Sequence, residues 1–160
     1  SADDLTAIFE AARWAPSAFN AQPWKFIVGV RGDEKFTQIS SLLVDFNKQW
    51  APKASALILV SALTLREDGK VNPTALYDTG LAVSHLTFEA NHRGFDVHQM
   101  SGFDNSAAKA TFSFEAGIEA VACIAVGKKT SPDSLPDEIK AREVAPRSRK
   151  SLDEIVNITW

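Results

Sequence analysis

The sequence predicts an α+β fold in which a mixed central sheet carries helices on both faces. Segments with helical periodicity alternate with short apolar segments of strand length along most of the chain. The segment 53–65 is nearly continuous in apolar and small residues, which is typical of a central strand covered on both sides. We therefore expect one layer of strands between two layers of helices.

The first half of the chain predicts two helices, each followed by a strand. Apolar residues at three- and four-residue steps indicate the first helix, and an apolar run follows it after a loop. Asp33 is placed to cap the second helix, because its carboxylate can accept hydrogen bonds from free backbone N–H groups. The predicted elements are a helix ending near Trp14, a strand over 24–30, a helix after Asp33 and a strand within 53–65. The second helix is expected to carry Phe36, Ile39, Leu43 and Phe46 on one side.

The second half continues this alternation of helices and strands. A third helix, roughly 74–93, is expected to end before Gly94, since a glycine commonly follows the last turn of a helix. The remaining elements are a strand over 95–100, a short helix between 105 and 112, a strand over 119–127 and a turn of helix over 138–143. No linker divides the chain, so we expect residues 1–160 to form a single domain, with 151–160 as a C-terminal tail.

Gly80 lies inside the third predicted helix, where a glycine costs on the order of 1 kcal/mol relative to alanine. The small residues Ala82 and Ser84 near it indicate close approach of another group to this helix. Two interpretations stay open at this point. Another helix or a flat ligand approaches here, or the helix packs tightly inside one subunit.

Composition and charge exclude several classes of partner. The formal net charge is −3, whereas proteins that bind phosphate backbones usually carry a basic excess, so we expect no nucleic-acid partner. No apolar run approaches the roughly 20 residues needed to cross a bilayer, so we expect a cytoplasmic protein without a membrane partner. The single cysteine, Cys123, agrees with a reducing compartment and suits a core position better than a nucleophilic one.

The stretch 15–24, APSAFNAQPW, suits neither a helix nor a strand. Its two prolines end the first helix and stiffen the chain, because proline lacks a backbone donor and restricts the residue before it. Between them lie the hydrogen-bonding side chains of Ser17, Asn20 and Gln22. A rigid polar loop between two packed elements is a common position for ligand contacts.

The sequence lacks the common motifs of several enzyme classes. The usual motifs of dinucleotide-binding folds, P-loop enzymes, zinc proteases and serine hydrolases are missing. His85 and His92 are seven residues apart, which does not suit two ligands of one ion on a helix, so we expect no metal site. The basic run 147–150 suits one small phosphorylated ligand, with a solvated charged turn as the alternative.

The sequence APSAFNAQPWKFIV closely resembles the first flavin-binding segment of the nitroreductase family. Four further stretches match that family in the right order, so that the resemblance extends from Leu5 to Val156. They are Asn47 to Trp50 before APKASALILV, Tyr77 to Ala82 (YDTGLA), His98 to Asp104 (HQMSGFD), and Arg147 and Arg149 before KSLDEIV. One such motif alone is weak, but five in order are specific.

The resemblance implies a homodimer with two FMN molecules at the subunit interface and the long central helix packed there. It also implies that the flavin takes hydride from NADH or NADPH and passes electrons to a small flat acceptor, such as a nitroaromatic or a quinone. Carried over by position, it assigns ten residues to the cofactor. They are Pro16, Ser17, Ala18 and Asn20 from the partner subunit, Gln22 close by, Asn47 at the pyrimidine edge, Ser101 and Gly102 beside the ring, and Arg147 and Arg149 at the phosphate.

Family members usually begin with a further segment whose Arg-x-Ser-x-Arg-like motif supplies cations to the FMN phosphate. This sequence starts after the place of that segment, so Arg147 and Arg149 are expected to bind the phosphate nearly alone. The tail 151–160 is expected to extend onto the partner subunit. Three functions stay open: an FMN-dependent NAD(P)H oxidoreductase, a flavin-binding protein that acts in binding, storage or regulation without turnover, and a relative whose flavin serves another reaction.

Overall fold

The computed structural model describes residues 1–157 of the chain. The chain forms two compact units, Ser1–Lys129 and Thr130–Trp160. The single domain over 1–160 stays a prediction, and residues 158–160 of the predicted tail lie outside the described residues. Within residues 1–157, no helix is both long enough and apolar enough to cross a bilayer.

Most of the predicted helices and strands are confirmed to within one or two residues of their expected ends. The helix after Asp33 is shorter than predicted, because the backbone becomes extended at Leu43, and Phe46 lies in a separate short helix. The strand expected within 53–65 is limited to Ala56–Leu63. The observed helices and strands follow in chain order. In the first unit they are α1 (Ala2–Arg13), β1 (Trp24–Val30), α2 (Glu34–Leu42), α3 (Asp45–Lys48), β2 (Ala56–Leu63), α4 (Ala75–His92), β3 (Asp96–Met100), α5 (Asn105–Thr111) and β4 (Ile118–Gly127). Short 3₁₀ turns occur at Ala18–Asn20 and Ala51–Lys53. The second unit contains a 3₁₀ turn at Pro132–Ser134, α6 (Asp137–Glu143) and α7 (Leu152–Ile155).

The α+β class is confirmed, but the sheet is antiparallel rather than mixed in the described part of the chain. The strand order is β1-β2-β4-β3, and each neighbouring pair runs antiparallel. The reason lies in the connection between β2 and β3. Helix α4 returns the chain so that β3 runs in the same direction as β2, but β4 lies between these two strands and pairs with both.

Strand β2 forms the centre of the core because both of its faces are buried. Ile58 and Val60 belong to a cluster with residues of α1 and α4, and Leu57 and Leu59 to a second cluster with residues of α2 and α5. Alternate side chains of a strand point to opposite faces, so the two clusters lie on opposite sides of the sheet. Helices on both faces, as predicted, are therefore confirmed.

Cys123 lies in β4 as part of the second cluster, as the sequence predicts for a core residue. Burial raises the pKa of its thiol to about 12. A thiol with such a pKa is almost entirely protonated at neutral pH and is a poor nucleophile.

Asp33 joins the end of β1 to the beginning of α2. Its carboxylate accepts hydrogen bonds from the Phe36 N–H at 2.6 Å and from the Val30 N–H at 2.9 Å. Both bonds favour the ionised form and hold the pKa of Asp33 below its ordinary value, the Phe36 bond contributing most. The cap predicted from the sequence is confirmed.

Gly29 sets the distance between β1 and α2. A Cβ at this position would collide with the backbone N and Cα of Phe36 in the first turns of α2. Glycine within a strand is typical of places where another backbone approaches closely. The missing side chain therefore lets α2 pack directly onto the strand.

Replacing Gly29 by alanine is expected to lower the free energy of unfolding by about 1–3 kcal/mol, because the added methyl group cannot fit without moving a backbone. Urea denaturation monitored by circular dichroism measures this change. Lys25→Ala, at an exposed position of the same strand, is the matched control and should stay within about 0.5 kcal/mol of the parent protein. Equal midpoints for the parent and Gly29→Ala would contradict the close contact.

Candidate cofactor site

The loop between α1 and β1 has an unusual backbone. Phe19, Asn20 and Gln22 have φ angles of 54°, 55° and 45°, in the left-handed region that side chains other than glycine rarely adopt. Each such residue costs roughly 1–3 kcal/mol and persists only where its surroundings fix it. Strain of this kind is concentrated at ligand sites and tight turns.

Two side chains hold this loop in place. Asp78 in the first turn of α4 accepts hydrogen bonds from the Ala18 N–H at 3.1 Å and from the Thr74 hydroxyl at 2.9 Å. The hydroxyl of Ser17 accepts the N–H of Gln22 at 3.0 Å and so closes the loop on itself. Asp78 is only 3% exposed. Its charge also suits the positive N-terminal end of the helix.

The role of Asp78 was not predicted from the sequence, although the residue belongs to one of the matching stretches. A carboxylate at the start of a long, mostly apolar helix was the available signal. What it binds could not be known, because its partner Ala18 is 60 positions earlier in the chain.

The groups that the loop leaves available are uncharged. The side chains of Asn20 and Gln22 are exposed. The side-chain amide nitrogen of Gln22 donates to the backbone carbonyl of Asn20 at 3.2 Å. Ser17 uses its oxygen as an acceptor and keeps its hydroxyl hydrogen for donation. The carboxylate of Asp78 is turned toward the loop backbone. The loop thus offers neutral donors and acceptors to a ligand.

A second group of assigned residues, Asn47 and Gly102, lies in direct contact. The Asn47 side-chain amide donates to the Gly102 carbonyl at 3.0 Å, and the Val44 N–H donates to the same oxygen at 3.1 Å. A Cβ on Gly102 would lie 2.7 Å from Asn47 Nδ2 and 2.9 Å from Val44 Cγ2. The glycine is therefore required for the fit of Asn47, which is 8% exposed.

Within one chain these two groups lie at opposite edges of the sheet. The loop enters β1, which is one edge strand, and Ser101 and Gly102 leave β3, which is the other. The strand register places both at the same end of the sheet. Three strand spacings separate the edges, which is roughly 14 Å. The structure brings Asn47 and Gly102 together but does not bring them to the residues of the loop.

Arg147 and Arg149 belong to the second unit. Both are exposed on a segment without regular secondary structure, as the sequence predicts. Arg149 donates to the Ser148 carbonyl at 2.7 Å, and neither arginine makes an ion pair within residues 1–157. Their guanidinium groups are available for an anion.

The outer face of α4 decides between the two interpretations of Gly80. Apart from its two chain neighbours and the backbone of its own helix, a Cβ at Gly80 would have no atom of the described residues within 4 Å, so tight packing of Gly80 inside the subunit is wrong. Large apolar side chains on the same helix, Leu76, Tyr77 and Phe88, are exposed. This face of α4 is thus a partly apolar surface without a partner in the described part of the chain.

Comparisons with known proteins agree with these features. The model of the nitroreductase family matches residues 1–51. An uncharacterised 15.4 kDa protein of Mycolicibacterium smegmatis is 37% identical over 142 residues, covering 82% of this chain and 92% of the relative. The Bacillus subtilis (strain 168) protein YdgI, provisionally named as an NAD(P)H nitroreductase, is 28% identical over 153 residues, or 72% of this chain and 71% of the relative.

The fold is also shared with solved structures. A structure described as an oxidoreductase containing FMN has 31% sequence identity and a TM-score of 0.93, and the match covers 98% of this chain and 81% of the other. The family model, the sequence relatives and this structural match agree with one another. The chain belongs to the nitroreductase family.

Proposed function

We propose that the protein is an FMN-dependent oxidoreductase that takes hydride from NADH or NADPH and delivers electrons to a flat acceptor such as a nitroaromatic or a quinone. The observation that carries this proposal is the loop over residues 16–22. It is strained, it is fixed by Asp78, and it presents neutral hydrogen-bonding groups at the position of the family's first flavin-binding segment.

The chemistry of these donors and acceptors fits a flavin. The pyrimidine edge of the isoalloxazine ring presents alternating donors and acceptors. Uncharged amides and hydroxyls can form hydrogen bonds with this edge without the burial of a charge. Bound FMN supplies the hydride-transfer chemistry itself, while the protein supplies binding, orientation and electrostatics. Ser17, Asn20 and Gln22 provide groups of this kind at the loop surface.

The remaining contacts follow from the assigned positions. We place Pro16 and Ala18 with the loop against the ring, and Ser101 and Gly102 beside it. Asn47 keeps one amide hydrogen and its carbonyl oxygen after its bond to Gly102, so it can contact the pyrimidine edge as well as support the turn. Arg147 and Arg149 bind the phosphate, since guanidinium groups form paired hydrogen bonds with phosphate oxygens.

The separation of the two groups of contacts supports a homodimer as part of this proposal. The loop and the Asn47–Gly102 pair lie at opposite edges of one sheet, so we assign these two groups of contacts around one flavin to different subunits. The open face of α4 around Gly80 supports contact between the α4 helices of two subunits. The tail 151–160 extending onto the partner belongs to the same proposal.

The first test is flavin binding. After incubation with FMN and removal of the excess, the protein should show the two visible absorption bands of a bound flavin and should oxidise NADH or NADPH with a quinone acceptor. Arg147→Gln and Arg149→Gln should each weaken FMN binding by about 10- to 150-fold, because each removes hydrogen bonds to a charged group. Flavin fluorescence quenching measures the dissociation constants.

Lys150→Gln removes a neighbouring positive charge that we do not assign to the phosphate, and it should change FMN affinity less than threefold. A protein that stays colourless with excess FMN would contradict the proposal. Bound FMN without oxidation of either nicotinamide cofactor would instead support a flavin-binding protein without turnover.

The second test concerns the subunit interface. Gly80→Leu should leave the fold of the subunit unchanged, because the added side chain points into open space. It should nevertheless convert the dimer into monomers at micromolar concentration and weaken FMN binding at least tenfold. Light scattering after size-exclusion chromatography measures the mass, and near-ultraviolet circular dichroism checks the fold.

Ser41→Leu introduces the same side chain at an exposed position of α2, on the opposite side of the sheet from α4. This control should remain a dimer with full FMN affinity. If Gly80→Leu also remains a dimer with unchanged affinity, the α4 face is not the interface.

A further inference from the structure

Phe19 combines two unfavourable features at one residue. Its φ of 54° would suit glycine or asparagine better than a large aromatic side chain. Its ring is 94% exposed, so the strain is not offset by burial in the subunit. An aromatic side chain that is both strained and exposed in a binding loop indicates a contact with something outside the subunit.

The backbone that carries this ring is held on both sides of Phe19. The Ala18 N–H is bound to Asp78 on one side, and the Gln22 N–H is bound to Ser17 on the other. The backbone of Phe19 therefore cannot relax without breaking bonds to both sides. The loop presents the ring as a preorganised flat surface, which lowers the entropic cost of binding.

Arg66 lies beside this ring. Its guanidinium carbon is 5.8 Å from the centroid of the Phe19 ring, within the range of a cation–π contact. The Arg66 N–H donates a hydrogen bond to the Lys70 carbonyl at 2.8 Å, which closes the turn that holds Arg66. The nearby carboxylate of Asp68 pairs with Lys70 at 3.0 Å, and Arg66 makes no ion pair within residues 1–157. The Arg66 cation thus borders a flat apolar surface, with the Asp68 carboxylate near enough to interact with it electrostatically.

We propose that Phe19 and Arg66 together bind the electron acceptor, and that they favour flat aromatic compounds with an anionic substituent. The Phe19 ring stacks on the aromatic face, and the Arg66 guanidinium pairs with a carboxylate on the acceptor. Their neighbours Ser17, Ala18 and Asn20 are assigned to the flavin, so an acceptor bound here lies next to the ring that reduces it. This inference rests on the proposed function.

The test measures binding to the FMN-loaded, oxidised protein, so that turnover plays no part. Isothermal calorimetry with 4-nitrobenzoate and with nitrobenzene separates the contribution of the charge from that of the ring. Arg66→Gln should raise the Kd of 4-nitrobenzoate about tenfold and that of nitrobenzene less than twofold. Phe19→Ala should raise the Kd of both compounds about tenfold. Phe19→Tyr keeps an aromatic ring, so its two Kd values should lie within threefold of the parent values.

Lys25→Gln is the matched control, because it removes an exposed positive charge that we assign to no ligand, and it should change neither constant more than twofold. The visible spectrum of each variant reports its flavin content. Unchanged constants in flavin-loaded Phe19→Ala, or equal effects of Arg66→Gln and Lys25→Gln on 4-nitrobenzoate, would overturn this inference alone. A parent protein that holds no flavin would overturn the proposed function and this inference with it.

Discussion

The burial of β2 on both faces is the constraint on which the rest of the structure depends. Four consecutive side chains, Leu57 to Val60, alternate between two apolar clusters, and each cluster needs its own layer of helices. The strand also pairs on both of its edges, with β1 on one side and β4 on the other. With β2 and β4 in the middle of the sheet, β1 and β3 are its two edge strands. Two groups of residues assigned to the flavin, the loop and the Asn47–Gly102 pair, thereby lie at opposite edges of the sheet.

Asp78 links helix α4 to the loop that we assign to the flavin. It is a buried carboxylate at the start of α4, and its bond to the Ala18 N–H holds a loop whose backbone is unfavourable at three residues. A helix that packs on the sheet thus determines the shape of a loop whose exposed groups are uncharged. Conformational strain that packed elements fix in this way is typical of preorganised sites, because the ligand then need not order the loop.

The sequence was sufficient for the features that depend on local pattern. The limits of β1, the cap at Asp33 and the extent of α4 follow from periodicity and capping within a few residues, and the structure confirms them. The antiparallel sheet could not be read in this way, because the insertion of β4 between β2 and β3 depends on pairings between distant segments. The same holds for the site: Asn47 and Gly102 are 55 positions apart, and the clash that requires glycine exists only in the folded chain. The ligation of the cofactor by the ten assigned residues stays a prediction.

The burial of Cys123 has a practical consequence for physical studies of this protein. With a pKa of about 12, the thiolate fraction at pH 7 is on the order of 10⁻⁵, and the sulfur lies inside the core. Maleimide or spin-label reagents should therefore leave the native thiol untouched. A cysteine introduced on the surface of residues 1–157 would be the preferred labelling site without removal of Cys123. A spin label or fluorophore at such a position would then report on a protein whose core is unaltered.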